Sequence, residues 1–198
     1  MKCYIKDYPR PQFMRTDWEN LNGTWDFGFD DENAGEKEKW YQEFKGDKKI
    51  NVPFTYETKL SGIQDETRHD FIWYHRTINV DGVKLENNRY ILHFEGSDFI
   101  TKVWVNGAYA GSHRGGYARC SFDVTNLVHD GENELTVKVE DSFDTQQPRG
   151  KQRWINENFG CWYVQTTGIW KTVWSEYVPK ISLASVKMTP DLQNAALK

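Results

Sequence analysis

The chain has 198 residues, 38% hydrophobic and 27% charged, which describes one folded domain of ordinary size with a short extension and excludes wholesale disorder. A formal net charge of −4 supplies no basic field of the kind that binds phosphate backbones, so nucleic acid is not an expected partner. No apolar run approaches the roughly 20 residues of a membrane span, and the amino-terminal MKCYIKDYPRPQ lacks an apolar export core. No membrane partner is expected, and the expected compartment is the cytoplasm, with export left open if a signal peptide has been removed.

Aromatic residues are the outlier. Nine Trp, ten Tyr and eleven Phe indicate a β-rich core, with rings to spare for stacking on flat apolar faces; filling a sandwich interior is the plainer use of any single ring. Cys3, Cys120 and Cys161 are odd in number and contain no CxxC pair, which fits neither a disulfide framework nor a zinc site, and they read as reduced thiols.

Along the chain the hydrophobic pattern has a period of two, the mark of half-buried strands. Trp25, Phe27 and Phe29 share one side of a strand. The charged stretch from Asp31 to Gln42 is the only segment with helical character, a turn or two of surface helix at most. Pro53 to Asp70 is irregular and long. Ile72, Tyr74, Ile78 and Val80 resume the alternation, followed by Tyr90, Leu92 and Phe94, then Thr101, Val103 and Val105. Asn106-Gly107 is the sharpest turn signal, because the positive φ angles of a tight hairpin suit Asn and Gly. Leu135, Val137 and Val139 form another strand, and Trp170, Thr172 and Trp174 a last strong one. Further turn signals at Asp81-Gly82, Asn87-Asn88, Gly115-Gly116 and Asp130-Gly131 separate these runs. Strands of similar length without βαβ alternation predict an all-β fold, an antiparallel β-sandwich of jelly-roll type. After Tyr177-Val178-Pro179, Ile181 to Met188 alternates afresh, as a strand opening a second domain does.

Candidate chemistry is sparse. Glycosidic cleavage needs two carboxylates roughly 5 to 9.5 Å apart, and sequence cannot pair the 29 acids; Asp65, Glu66, Asp70, Asp141, Asp144 and Glu157 are the loop acids worth testing. His69, His75, His93, His113 and His129 are scattered, with no metal-ligand spacing, and neither a GxSxG elbow nor a GxxxxGK[ST] loop is present. No metal, no cofactor and no catalytic residue is expected in this chain. The long connection from Asp141 to Gln165 is the most ligand-like region. Gln146 to Trp154 places planar amides, cations and an indole together, the groups that hydrogen-bond hydroxyls and stack on a pyranose face, and Trp162-Tyr163 follows. The candidate substrate-binding residues are Arg149, Lys151, Gln152, Trp154, Trp162 and Tyr163; the alternative is that Arg149 and Lys151 dock onto acids of a neighbouring domain.

Several fragments match a known family in order. Asn20-Leu21-Asn22-Gly23 with Trp25-Asp26-Phe27, Val52-Pro53-Phe54, Trp73-Tyr74-His75-Arg76 and Val103-Trp104-Val105-Asn106-Gly107 resemble stations of family 2 glycoside hydrolases, the β-galactosidase and β-glucuronidase family. Gly111-Ser112-His113, Gly115-Gly116-Tyr117, Phe122-Asp123-Val124-Thr125, Gly131-Glu132-Asn133 and Thr166-Thr167-Gly168-Ile169-Trp170 running into Val173-Trp174 continue the series, across roughly residues 8 to 178. The resemblance implies a galactose-binding-domain-like jelly roll over residues 1–179, with 180–198 the start of an immunoglobulin-like sandwich. It also implies a parent enzyme whose (β/α)8 barrel carries an acid/base Glu and a nucleophile Glu and hydrolyses β-linked glycosides with retention. This chain is then a non-catalytic sugar-binding domain, whose partners are a carbohydrate and the barrel, with homo-oligomerisation of the full-length enzyme left open. A free-standing carbohydrate-binding module and a purely structural inter-domain sandwich are the alternatives. Where β-galactosidase and β-glucuronidases carry an Asp in the loop this chain has Trp162, and Phe71 replaces a family Asn. These departures leave the glycoside open, with stacking, or Gln152, Asn156 or Asn158, taking over the polar role.

Overall fold

The computed structural model describes residues 7–197; Cys3 lies outside them, and Cys120 and Cys161 are free thiols. Its strands are β1 (Trp18–Asn20), β2 (Gly23–Phe29), β3 (Lys48–Val52), β4 (Phe71–Val80), β5 (Asn88–Phe94), β6 (Ser97–Asp98), β7 (Ile100–Val105), β8 (Ala108–Arg114), β9 (Cys120–Asp123), β10 (Gly131–Glu140), β11 (Gly168–Ile169) and β12 (Val173–Pro179). A short hairpin of β13 (Pro190–Asp191) and β14 (Ala196–Leu197) follows. A four-stranded sheet in the order β1-β12-β5-β9 faces a six-stranded sheet in the order β3-β2-β4-β10-β7-β8, and β6 pairs with β11. The pairings are antiparallel throughout, the jelly-roll sandwich that the alternation predicts. α1 (Gly82–Leu85) is one turn, capped by the Asp81 carboxylate accepting from the Val83 and Lys84 amides. No helix among the described residues is long and apolar enough to cross a membrane.

The core between the sheets holds the predicted alternating sets: Trp25 and Phe27, Ile72, Tyr74, Ile78 and Val80, Tyr90, Leu92 and Phe94, Val103 and Val105, and Leu135, Val137 and Val139. The Asn106-Gly107 turn has φ of 50° and 75°, both left-handed, so β7 and β8 close tightly with Val105 opposite Ala108. Asn106 also accepts from the Glu134 amide and donates to the Leu127 carbonyl and the Asn133 side chain, tying the hairpin to β10.

Three sequence expectations are corrected. The closing strand runs from Val173, and the core receives Ile169 and Val173 rather than Trp170, Thr172 and Trp174. Trp174 is buried on the opposite face, in edge contact with Tyr8 and Trp18 and stacked on His93: the amino-terminal segment covers that side of the sheet, so both faces of β12 are buried and the alternation loses its phase. Residues 181–188 form no strand, because no partner strand lies beside them among the described residues, and Ile181 is 96% exposed. The stretch from Asp31 to Gln42 is a series of turns bonded from Trp40 to Gly35 and from Gln42 to Lys39, without a helix.

Much of the aromatic surplus lies outside the core. Trp73 and Trp104 stack at 5.4 Å on the outer face of the six-stranded sheet, and Trp40 and Tyr41 close over them. The Trp73 indole donates to Asp30, and the buried Lys138 ammonium reaches Asn33 and Glu36 while lying over the rings of Phe71 and Trp73. An indole that buries roughly 200 Å² contributes on the order of 5 kcal/mol at about 25 cal/mol per Å², so these contacts hold the 31–46 segment down without regular structure of its own.

Candidate functional site

The loop that follows β10 begins at Asp141, a buried carboxylate. Its Oδ1 accepts from Gln147 Nε2 at 2.5 Å and Arg149 Nη1 at 3.5 Å, and its Oδ2 accepts from the Thr167 hydroxyl at 3.0 Å. Glu57 sits beside it, accepting from the Thr167 amide at 2.9 Å, with its second oxygen enclosed and without a hydrogen-bond partner. Burial pushes the Glu57 carboxyl up to about 8, and the negative charge of Asp141 adds to the shift. Asp141 is itself raised by burial, against the pull of Arg149. Asp98, at the end of β6, is raised to about 6 by burial and by Asp141, while Gln152 donates to it at 2.9 Å. The peptide bond from Asp98 to Phe99 is cis.

Above this foot the loop folds back on itself. The Arg153 amide donates to Tyr163 O at 2.7 Å and the Tyr163 amide to Lys151 O at 2.8 Å. Arg153 is buried and gathers three segments, donating to Gln165 Oε1, Asn158 Oδ1 and the Glu66 carbonyl. Gly168 at the loop's exit has φ of +98°, and a Cβ there would strike the Tyr74 hydroxyl and Ile72; only glycine brings the closing segment this near β4.

The six candidate residues divide into three groups. Arg149 is only 7% exposed and turned inward on Asp141, the Ser142 carbonyl and the Arg153 carbonyl, so it pins the loop. Trp154 and Trp162 pack edge-on at 4.8 Å with Phe159 against both, a half-buried cluster at the loop's tip. Lys151, Gln152 and Tyr163 line a cleft of about 370 Å³ together with Asp98, Tyr117 and Trp170, and the buried Arg149 borders it as well. Tyr117 is 54% and Tyr163 61% exposed, and the Trp170 indole is fixed by donating to the Gly116 carbonyl. Three rings therefore surround a floor made of an amide and a carboxylate. Asp98, Tyr117 and Trp170 lie outside the loop, and nothing in the local sequence Phe94-Glu95-Gly96-Ser97-Asp98 sets Asp98 apart from an ordinary turn acid. Asn156 lines a separate depression with Arg68 and Arg153.

Glu57 and Asp141 are enclosed and engaged with Thr167, Gln147 and Arg149, and only Asp98 reaches the cleft. Among the described residues, no group of three or more His, Cys, Asp or Glu is placed to hold a metal ion.

A jelly roll with an aromatic-walled cleft floored by hydrogen-bonding groups defines the class of sugar-binding β-sandwich domains. Residues 18–175 match the family described as glycosyl hydrolases family 2, sugar binding domain, and the chain belongs to that family. It is 32% identical over 143 residues to a putative beta-glucuronidase of Formosa agariphila, covering 71% of this chain and 16% of that protein. It is 26% identical over 185 residues to a beta-galactosidase of Thermoanaerobacter pseudethanolicus, covering 90% of this chain and 22% of that one. The solved beta-glucuronidase of an uncultured Clostridium sp. superposes with a TM-score of 0.68 at 26% identity, over 88% of this chain and 31% of that one. The chain thus spans a minor part of each relative's length.

Proposed function

We propose that this chain is the non-catalytic sugar-binding lobe of a glycoside hydrolase that cleaves β-linked glycosides with retention, and that the loop from Gln146 to Gln165 forms one wall of the sugar pocket. The cleft of Tyr117, Tyr163 and Trp170 over the Asp98–Gln152 pair carries this reading: rings offer flat apolar faces to a pyranose, while the amide, the carboxylate and Lys151 offer partners to its hydroxyls. Hydrolysis then belongs to a catalytic domain elsewhere in the parent protein, since the buried carboxylates here serve the fold. Residues 180–198 open the next, immunoglobulin-like domain, a reading supported by the apolar side chains of Ile181, Leu183, Val186 and Met188 standing exposed. At the place where related enzymes carry an Asp, Trp162 contributes through its ring cluster, by stacking in place of hydrogen bonding.

The test is Trp162→Ala and Tyr163→Ala in the full-length enzyme, beside thermal melts of the same variants in this chain. The expected result is a several-fold loss in kcat/KM for the parent with the melting temperature of this chain nearly unchanged. Unaltered kinetics combined with a stability loss of about 3 kcal/mol or more, the cost of deleting a core ring, would place the rings in the core and refute the reading.

A further inference from the structure

The outer face of the six-stranded sheet holds a second feature, remote from the loop. Between the 31–46 segment and the sheet, on the side of the Asn106-Gly107 hairpin, lies a groove of about 840 Å³ lined by Trp40, Tyr41, Gln42, Phe44, His75 and Glu134, with Asp26 at its edge. An adjoining depression of about 340 Å³ is bounded by Tyr41, Trp104, Tyr109, Glu36 and Lys102. Tyr41 lines both, so the two lie on either side of one ring. Glu134 lies six residues before the end of β10, where the loop begins, roughly 20 Å away at about 3.3 Å per residue.

The rings here are held in place before any ligand arrives. Tyr41 stacks on Trp104 at 5.3 Å and 9°, Trp104 meets Tyr109 at 5.6 Å, and Phe44 stacks on His75 at 5.0 Å and 18°. Tyr109 is 55% exposed, and Gln42 is exposed between the rings. The polar lining is rich in acceptors. His75 is flanked by Glu134 at 2.6 Å and Asp26 at 3.7 Å, and Glu36 bridges Lys102 and Lys138 at 2.7 and 2.8 Å. Carboxylates and an amide accept from and donate to hydroxyls, and because Glu36 is paired with Lys102 and Lys138 and Asp26 with Lys49, the lining has no net positive field to draw a chain of anions. Trp104 is buried between Tyr41 and Trp73 as a support, and the half-buried rings of Trp40, Tyr41 and Phe44 with the exposed Tyr109, beside hydrogen-bonding groups, suit an elongated, uncharged, polyhydroxylated ligand.

We infer that this groove is a second carbohydrate site, which takes a segment of a neutral glycan chain spanning both depressions and is independent of the loop cleft. Its role is to hold a polymeric glycan on the lobe, raising the effective concentration of chain ends near the loop. The test uses the 198-residue chain titrated calorimetrically with cellohexaose, mannohexaose and β-1,4-galactohexaose, beside a galacturonate hexamer. At least one neutral hexasaccharide is expected to bind with a roughly millimolar or tighter Kd, as an open, partly enclosing groove allows. Loss of one stacking ring in Tyr41→Ala should weaken that binding by about tenfold, and Tyr163→Ala should leave it unchanged. Because Tyr41 also helps hold the 31–46 segment, Gln42→Ala, which removes only an exposed amide, serves as the second variant; it should weaken binding severalfold with the melting temperature unmoved. The galacturonate hexamer should bind more weakly than the neutral chain. Absence of binding by all three neutral chains up to about 10 mM, a Kd too weak to hold a polymer, overturns the inference. So does binding that is lost in Tyr163→Ala but kept in Tyr41→Ala and Gln42→Ala, or a preference for the uronate.

Discussion

Replacing Glu57 by Gln should make the protein progressively more stable than the wild type as pH rises. Burial raises the Glu57 carboxyl from 4.5 to about 8, so between those values the folded state holds a proton that the unfolded chain has released. Stability changes with pH in proportion to the protons bound by the unfolded state minus those bound by the folded state. Here that difference is negative, so the wild type loses about 1.4 kcal/mol per pH unit from this one group across the window, and nothing further above it. Gln at position 57 keeps an oxygen for the Thr167 amide, now accepting at 2.9 Å, and carries no titrating proton. The difference between variant and wild type should therefore be small near pH 4.5, grow to about 5 kcal/mol near pH 8, and level off beyond. Asp98 titrates with the same sign at lower pH, but it is present in both proteins and cancels. Urea denaturation of both at pH 5, 6.5, 8 and 9 reads the difference directly. A difference that is flat across this range, or that shrinks as pH rises, would show that Glu57 folds in its charged form.

At the acid end the sign reverses for Glu176. Burial alone raises its carboxyl, but hydrogen bonds from His93, Tyr8 and Arg15 overcome it and hold the group at about 2; its stabilisation, roughly 3 kcal/mol, is complete above pH 4.5 and lost as pH falls through 2. Glu176→Gln should accordingly lower stability at pH 7 by about that amount and flatten the acid limb of the profile, and equal loss at pH 7 and pH 2.5 would contradict the assignment. Gly168→Ala combines a φ of +98° with a Cβ driven into the Tyr74 hydroxyl, and should cost more than about 3 kcal/mol. A change below about 1 kcal/mol in a melt of that variant would mean that the closing segment can move away from β4 freely.

The strands and the sandwich were legible in the chain because a strand with one buried face writes a period of two into its side chains. Asn106-Gly107 was legible because few residue pairs tolerate left-handed backbone at both positions. The ordered motifs from Asn20 to Trp174 indicated the family for the same reason: they sit at turns and core positions where geometry leaves few choices. What covers the second face of a strand is a different matter, since it is decided by segments distant in sequence. Trp73 and Trp104 are therefore buried beneath the 31–46 segment on an outer face that alternation assigns to solvent, and Trp174, which alternation assigns to the core, is buried on the outer face beneath the amino-terminal segment. The same limit applies to the loop. Its length and mixture of amides, cations and rings mark it as a candidate binding surface, but Arg149 and Lys151 look alike in sequence, and only the fold buries Arg149 against Asp141 while Lys151 stays exposed. Glu57, Asp98 and Asp141 come from three separate segments, and their charge states follow from how little water reaches them. Burial and proximity in space, which no local pattern encodes, decided that part of the protein.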